Sequence, residues 1–296
     1  MMRALRFRLE AWLITGLLWL LGRLRPETAS NLGGAVARAI GPRLRVSGVA
    51  DANLRLAMPA LDAAARARII RGVWDNLGRT ACEFPHVPNL RETATGPGYE
   101  LEGAAYFDAV LAAGGPAICI SAHLGNWEVM PAAAKRRGAD MASFYRAASN
   151  KLADAIIVER RARAGVTLLA KGAAGARAGV AHLRAGGMLG FLIDQKMNDG
   201  IEAQLFGHPA MTASAAAALA LRFDAPVIPA CVIRLGPARF RVIAEAPLAV
   251  PATGDRHADI AVLTQAMNEC VERWVRARPE QWLWLHRRWP REIMPT

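Results

Sequence analysis

Cysteine is scarce in this chain and is never arranged as a metal site or a redox pair. The 296 residues include only Cys82, Cys119, Cys231 and Cys270, with no CxxC motif and no histidine at metal-ligand spacing. An HExxH motif is also missing. These absences argue against a zinc hydrolase and against a disulfide scaffold. We therefore expect reduced thiols, most of them small core residues, and neither a metal nor another cofactor.

Long apolar runs are missing as well. The longest near the N-terminus, residues 11–22, has twelve residues, which is about 18 Å of helix against a bilayer core of about 30 Å. Five arginines flank this run, it contains Trp12 and Trp19, and no small-residue cleavage site follows it. The pattern predicts a membrane-associating helix within residues 1–25 that lies in or dips into the inner leaflet. The alternative is a buried first helix of the globular domain.

Acidic residues are outnumbered by basic ones. The sequence has 25 Asp plus Glu against 37 Lys plus Arg, a formal net charge of +12. Such a surplus favours anionic partners, namely lipid headgroups, nucleic acid or an acidic carrier protein. The positive charge is spread along the chain and no recognised nucleic-acid motif is present. We therefore expect no nucleic-acid partner.

The order of apolar segments predicts an α/β fold. Residues 27–90 show helical spacing, and beyond a Thr-, Gly- and Pro-rich stretch at 92–100 short apolar runs alternate with helical segments. Predicted strands are 117–121, 141–145, 166–169, 188–193, 227–233 and 240–244, and predicted helices are 127–137, 151–164, a stretch ending at 185, 212–223 and 260–277. This alternation indicates a mostly parallel sheet covered by helices, in one domain spanning 26–296. The chemistry of such sheets collects at the carboxyl ends of the strands.

His123 and Glu128 follow directly after the first of the predicted strands. Five residues of continuous helix would leave the two side chains roughly 140° apart. They meet only if His123 lies in the turn and Glu128 in the first helical turn, with Gly125 as the bend and Asn126 as a helix cap. Glu128 could then accept a hydrogen bond from one imidazole nitrogen and leave the other basic. A histidine near a carboxylate without any catalytic role remains the alternative.

Five short blocks carry a resemblance to a known family. In chain order they are SAHLGNWE at 121–128, FYR at 144–146 followed by Asn150, IDQ at 193–195, LFGHPAMT at 205–212, and PEQWLWLHRRW at 279–289. The first resembles the H-x4-D/E signature of glycerolipid acyltransferases. With its Gly-Asn-Trp it is similar to the version in the lipid A late acyltransferases, the lauroyl and myristoyl transferases of Gram-negative bacteria. The second block departs from the family at Ala147, where proline is often found.

The resemblance implies an acyltransferase that works without a covalent acyl-enzyme. It would move a fatty acyl chain from acyl carrier protein, or from acyl-CoA, to a hydroxyl of a lipid A precursor on the cytoplasmic face of the inner membrane. His123 would act as general base and Glu128 would orient its ring. Another glycolipid acceptor, such as a phosphatidylinositol mannoside, is a second hypothesis. A basic peripheral membrane protein without catalysis is a third.

Further residues are candidates for binding substrate. Arg146 could hold a phosphate or the thioester oxyanion, or lie at a strand end with no such role. Asp194 and Gln195 could order the site or bind polar groups of the acceptor, and Asn126 could also bind the acceptor. An aspartate after a strand is, however, often only a helix cap or turn former. The C-terminal tryptophans could line an acyl pocket, lie at the membrane interface or belong to the core. Arg287 and Arg288 could contact phosphate or an acidic carrier, or form a solvated basic end.

Overall fold

A seven-stranded sheet organises the chain. The structure, a computed structural model, describes residues 2–295. The strands are β1 (Gly98–Glu102), β2 (Ala117–Ser121), β3 (Met141–Tyr145), β4 (Thr167–Ala170), β5 (Met188–Leu192), β6 (Ile201–Leu205), β7 (His208–Thr212), β8 (Val227–Gly236) and β9 (Arg239–Ala244). Their order in the sheet is β1-β9-β8-β2-β5-β3-β4, and β6 and β7 form a separate hairpin. Every neighbouring pair of the large sheet is parallel except β8 and β9. The predicted mostly parallel α/β sheet is therefore confirmed.

Helices cover the sheet on both sides. They are α1 (Met2–Leu21), α2 (Pro26–Ile40), α3 (Ser47–Ala57), α4 (Ala63–Glu83), α5 (Ala104–Ala113), α6 (Val129–Arg136), α7 (Lys151–Arg163), α8 (Ala173–Arg184), α9 (Ala215–Phe223) and α10 (Arg256–Ala277). The central strand β2 alternates between two hydrophobic clusters. Ile118 and Ile120 belong to the larger one, and Cys119 belongs to the one beneath α5 and α6. The alternation follows from the two-residue period of a strand.

Some elements were not predicted from the sequence. β1 carries two glutamates and lies at an edge of the sheet, so its residues lack the apolar run that marks the central strands. The helix predicted at 212–223 would begin at the end of the block LFGHPAMT. Within this block, Phe206 and Gly207 form the turn between β6 and β7, and both have positive φ. Positive φ at both central residues is the requirement of the type I′ hairpin turn. Thr212 ends β7, and α9 begins at Ala215.

The long helix α4 lies in the N-terminal half of the chain and packs against the sheet. Its N-cap Asp62 accepts a hydrogen bond from the Ala65 backbone at 2.6 Å. Helix α2 lies so close to it that a Cβ on Gly33 would stand 2.2 Å from the Gly78 carbonyl oxygen. Only glycine permits that approach.

The N-terminal helix α1 packs on the domain with one side. Asn150 donates to the Phe7 carbonyl at 2.9 Å and to Glu10 at 2.9 Å, and the His86 ring bonds the Leu21 carbonyl at 3.1 Å. The opposite side of α1 is exposed. Within residues 2–295, no helix combines the length and the apolar character that crossing a membrane requires.

Candidate active site

The candidate site lies at the carboxyl end of the sheet, where β2 and β5 are neighbours. His123 stands two residues beyond β2, and Asp194 two residues beyond β5. One carboxylate oxygen of Asp194 is 2.8 Å from Nδ1 of His123. The other accepts the backbone N–H of His123 at 2.9 Å and the indole N–H of Trp282 at 2.7 Å. The buried carboxylate thus fixes both the ring and the backbone of His123.

These contacts determine the tautomer of His123. Because the Asp194 carboxylate only accepts, Nδ1 carries a proton and Nε2 is left as the basic nitrogen. Burial opposes protonation of the ring, but the charge and the hydrogen bond of Asp194 outweigh it and raise the pKa of His123 above its usual value. Burial would also raise the pKa of Asp194, but the charge of His123 and the donated hydrogen bonds lower it to about 2. The arrangement is that of a base held by an ionised carboxylate.

Glu128 is held by a different partner. Arg161 from α7 donates to its two carboxylate oxygens, at 2.9 Å from Nε and 2.5 Å from Nη2. This two-pronged geometry is the one that a guanidinium forms best with a carboxylate. The charge of Glu128 still reaches His123 and contributes to raising its pKa. The orienting hydrogen bond that the sequence suggested for Glu128 is made instead by Asp194.

The local backbone explains this difference. Helix α6 begins at Val129, so Glu128 is its cap residue rather than part of its first turn. The side chain of Asn126 accepts the backbone N–H of Glu128 at 3.3 Å and shapes the turn before the helix. The ring of Trp127 meets His123 edge-on, with 5.0 Å between centroids. Spacing alone could not decide where the helix starts, and hence where Glu128 points.

The C-terminal segment packs around the turn that carries His123. Gly125 donates to the carbonyl of Gln281 at 3.0 Å, and Leu283 donates to the carbonyl of His123 at 3.1 Å. Leu124 and Trp282 form a bridge between these two contacts. Further along, Nε2 of His286 accepts the backbone N–H of Lys196, two residues after Asp194, at 3.0 Å. Residues 281–286 therefore connect the two loops that carry His123 and Asp194.

The tryptophans of that segment belong to the core. Trp282, Trp284 and Trp289 are all buried, which favours the core alternative over a place at a membrane interface. Trp282 has a further role, because its indole N–H is one of the donors to Asp194. No sequence signal marks this indole as different from its neighbours.

Replacing Trp282 by Phe should cost more stability than the same change at Trp284. Phe keeps most of the packing in both variants. Trp282 donates to a buried carboxylate, whereas Trp284 donates to the neutral carbonyl of Pro279 at 2.7 Å. A hydrogen bond to a charged group contributes about 1.5–3 kcal/mol and a neutral one about 0.5–1.5 kcal/mol. Urea unfolding of the two variants measures the difference; equal losses would contradict the assignment.

The structure separates the remaining candidates. Arg146 and Gln195 are exposed, and each follows a strand of the sheet, β3 and β5, at the edge where His123 lies. Asn126 is fully buried and donates to Glu83 at 2.8 Å, so it belongs to the framework of the turn. Arg146 and Gln195 are therefore accessible at this edge and stay predicted substrate contacts, whereas the buried Asn126 has no surface open to a substrate.

Arg288 differs from the solvated or phosphate-binding residue that the sequence suggested. It is fully buried, and it donates to the Met211 carbonyl at 2.9 Å and to the Thr212 hydroxyl at 2.6 Å. Burial lowers its pKa to about 10. Arg287 beside it is exposed. Arg288 therefore holds the end of β7, and of the two arginines only Arg287 is open to solvent.

The family match, which covers nearly the whole chain, gives the class of the protein: it is an acyltransferase. The model of the bacterial lipid A biosynthesis acyltransferases matches residues 2–291, and the chain belongs to that family. No curated protein matches the sequence.

Proposed function

We propose that this enzyme transfers a fatty acyl chain from a thioester donor to a hydroxyl of a lipid A precursor, with His123 as general base. The observation that carries the proposal is the hydrogen bond between Asp194 and Nδ1 of His123, because it leaves Nε2 free to take a proton. Membership of the lipid A biosynthesis family supports the choice of acceptor.

The proposed reaction uses the side chains at this edge of the sheet. Nε2 of His123 takes the proton of the acceptor hydroxyl while the hydroxyl oxygen attacks the thioester carbonyl carbon. The tetrahedral intermediate collapses, the C–S bond breaks, and the imidazolium returns its proton to the departing thiolate. Asp194 holds the ring throughout, and the negative charge of Glu128 favours the imidazolium.

Basic side chains at the sheet edge that carries His123 suit an anionic donor and acceptor. Arg146 follows β3 and Lys171 follows β4, both exposed, and Lys196 lies on the loop after Asp194. These strands are parallel to β2 and β5, so their ends share one edge of the sheet. Ammonium and guanidinium groups there favour the phosphates of a lipid A precursor and an acidic carrier protein. Acyl carrier protein is accordingly the donor we propose over acyl-CoA.

The test combines purified enzyme in detergent with each donor and a tetra-acylated lipid A precursor. Mass spectrometry should report the addition of one acyl group, faster from acyl carrier protein than from acyl-CoA. Other glycolipids, phosphatidylinositol mannoside among them, are the comparison acceptors. Faster transfer to one of those would replace lipid A as the acceptor, and faster transfer from acyl-CoA would replace the carrier.

We further propose that α1 binds the cytoplasmic surface of the inner membrane. Its outward side is apolar: Leu5 is 70 % exposed, Leu13 64 % and Trp12 81 %. Arginines 3, 6, 8, 23 and 25 lie along and after the helix, and Arg23 stacks on Trp19 with 4.0 Å to the ring centroid. An apolar face beside arginine is the pattern of a helix that lies in the interface of an anionic bilayer. On α2, Leu32, Val36 and Ile40 are also exposed and could extend that face.

Changing Leu9 and Leu13 to Gln should weaken binding to anionic vesicles by at least about tenfold. The reason is that two apolar side chains no longer insert at the boundary between the lipid headgroups and the acyl chains. Sedimentation with phosphatidylethanolamine–phosphatidylglycerol vesicles measures the effect. The matched control changes Tyr106 and Val262, two exposed residues of α5 and α10, to Gln. A control variant that binds as weakly as the α1 variant would show that α1 is not the docking surface.

A further inference from the structure

Behind the His123 turn lies a buried ion pair that no sequence pattern indicated. Glu83, the last residue of α4, is fully buried, and Arg234 of β8 contacts it through both Nη1 and Nη2. The guanidinium of Arg234 also covers the ring of Phe240, with 5.1 Å to the centroid. Taking two charges out of water is costly, and well-packed apolar residues often replace such a pair without loss of stability. The pair therefore calls for an explanation other than stability.

One side of the pair reaches the candidate active site through Asn126. The carboxylate oxygen of Glu83 that binds Nη2 of Arg234 also accepts the amide N–H of Asn126 at 2.8 Å. The amide oxygen of Asn126 in turn accepts the backbone N–H of Glu128. A chain of hydrogen bonds thus runs from Arg234 through Glu83 and Asn126 to the residue that faces Arg161.

Arg234, the other member of the pair, supports the middle of the turn at Gly125. Nε of Arg234 donates to Asn76 at 2.8 Å, and the amide of Asn76 then donates to the Gly125 carbonyl at 2.8 Å. Thr80 donates to the same carbonyl at 3.2 Å. Asn76, Thr80 and Glu83 are three and four residues apart on α4, so they share one face of that helix.

Close packing around Gly125 leaves the backbone of the turn almost no freedom to move. Gly125 has φ of +57°, and a Cβ there would stand 2.2 Å from the carbonyl oxygen of Val232 on β8. The backbone between His123 and Glu128 is therefore pressed against β8 on one side and bonded to α4 on the other. A small displacement of Gly125 or Asn126 would move His123 and Glu128 relative to each other.

We infer that Glu83 and Arg234 are positioning residues for acyl transfer: through Asn126 and Asn76 they set the geometry of the turn that carries His123 and Glu128. The inference rests on the catalytic role proposed for His123. A misplacement of about 1 Å at a reacting group can cost about 10²-fold in rate. Neither Glu83 nor Arg234 needs to touch a substrate for such an effect.

If Glu83 and Arg234 only stabilised the fold, a variant without both charges would regain its activity together with its stability. Such a double variant therefore distinguishes a structural role from a positioning role. Glu83→Gln leaves Arg234 unpaired and Arg234→Met leaves Glu83 unpaired, so each should lower the melting temperature. The double variant removes both buried charges and should recover much of that loss. The double variant still lacks the guanidinium that binds Asn76 and the carboxylate that binds Asn126.

The experiment measures kcat, KM and the folded fraction of the full-length enzyme for the two single variants and the double variant. Activity is referred to the folded protein, determined by near-UV circular dichroism. We expect the double variant to have kcat about 10²-fold below wild type with KM little changed. Asp75→Asn, which removes a carboxylate that binds Arg79 on the same helix at 2.7 Å, is the control and should keep kcat.

Recovery of wild-type kcat in the double variant would overturn the inference, and so would an equal loss in Asp75→Asn. His123→Ala is assayed beside them. If that variant keeps full activity, the proposed function fails as well. If it is inactive while the double variant is active, only the positioning role of Glu83 and Arg234 fails.

Discussion

Replacing His123 by Ala is expected to slow acyl transfer by about 10²- to 10⁴-fold, the usual contribution of a positioned general base. The physical reason is the free Nε2 that Asp194 leaves unprotonated. Without it, the acceptor hydroxyl has to attack the thioester while it still holds its proton. The rate of acyl addition, followed by mass spectrometry with the carrier-bound donor, measures the effect.

The matched control is His257→Ala. His257 is exposed near the start of α10, and it is its backbone N–H rather than its ring that donates to the capping side chain of Asp255. We therefore expect activity and stability close to wild type. An enzyme that retains full activity after loss of His123 would exclude the general-base mechanism altogether, whatever the control shows.

The second large effect is expected from Asp194→Asn, with a loss of about 10²- to 10⁴-fold. The Asp194 carboxylate accepts from three donors: Nδ1 of His123, the backbone N–H of His123 and the indole of Trp282. An amide has only one oxygen. In one orientation its NH₂ faces two N–H donors. In the other it faces Nδ1, and the ring proton moves to Nε2, which abolishes the base.

The same variant should change the pH dependence of the reaction. The base form of His123 grows as pH rises through its pKa, so the wild-type rate climbs on a low-pH limb that lies above the usual histidine value. In Asp194→Asn burial still lowers the pKa of His123, and Glu128 still raises it, but the larger raising effect, the charge of Asp194, is gone. The limb should therefore move to lower pH while its plateau falls.

Asp259→Asn provides the comparison for Asp194→Asn. Asp259 is also buried. It accepts the backbone N–H of Thr253, at 3.1 Å to one carboxylate oxygen and 3.2 Å to the other, and the Thr253 hydroxyl at 2.7 Å. Its replacement should lower stability without moving the pH limb. If the limb stays in place in Asp194→Asn too, Asp194 does not control the charge state of His123.

Much of the fold was readable from the sequence because its signals are local. The buried strand at 117–121 and the strand at 141–145 were predicted with the bounds that the structure shows. A short apolar run between turn formers is typical of a buried strand. The edge strand β1 and the β6–β7 hairpin carry alternating polar residues and gave weaker signals. The order of the strands in the sheet depends on long-range pairing and was not predicted.

For the site, the sequence by itself determined that His123 lies at a strand end with a glutamate five residues on, and that the chain resembles the lipid A acyltransferases. Only the tertiary structure decided which carboxylate meets the ring. Asp194 lies 71 residues from His123 in sequence, and β2–β5 pairing alone brings their loops together. The supports from Glu83, Arg234 and Trp282 come from α4, β8 and the C-terminal segment in the same way. Hydrogen bonds depend on distances in space, and spacing along the chain does not encode those until the sheet has formed.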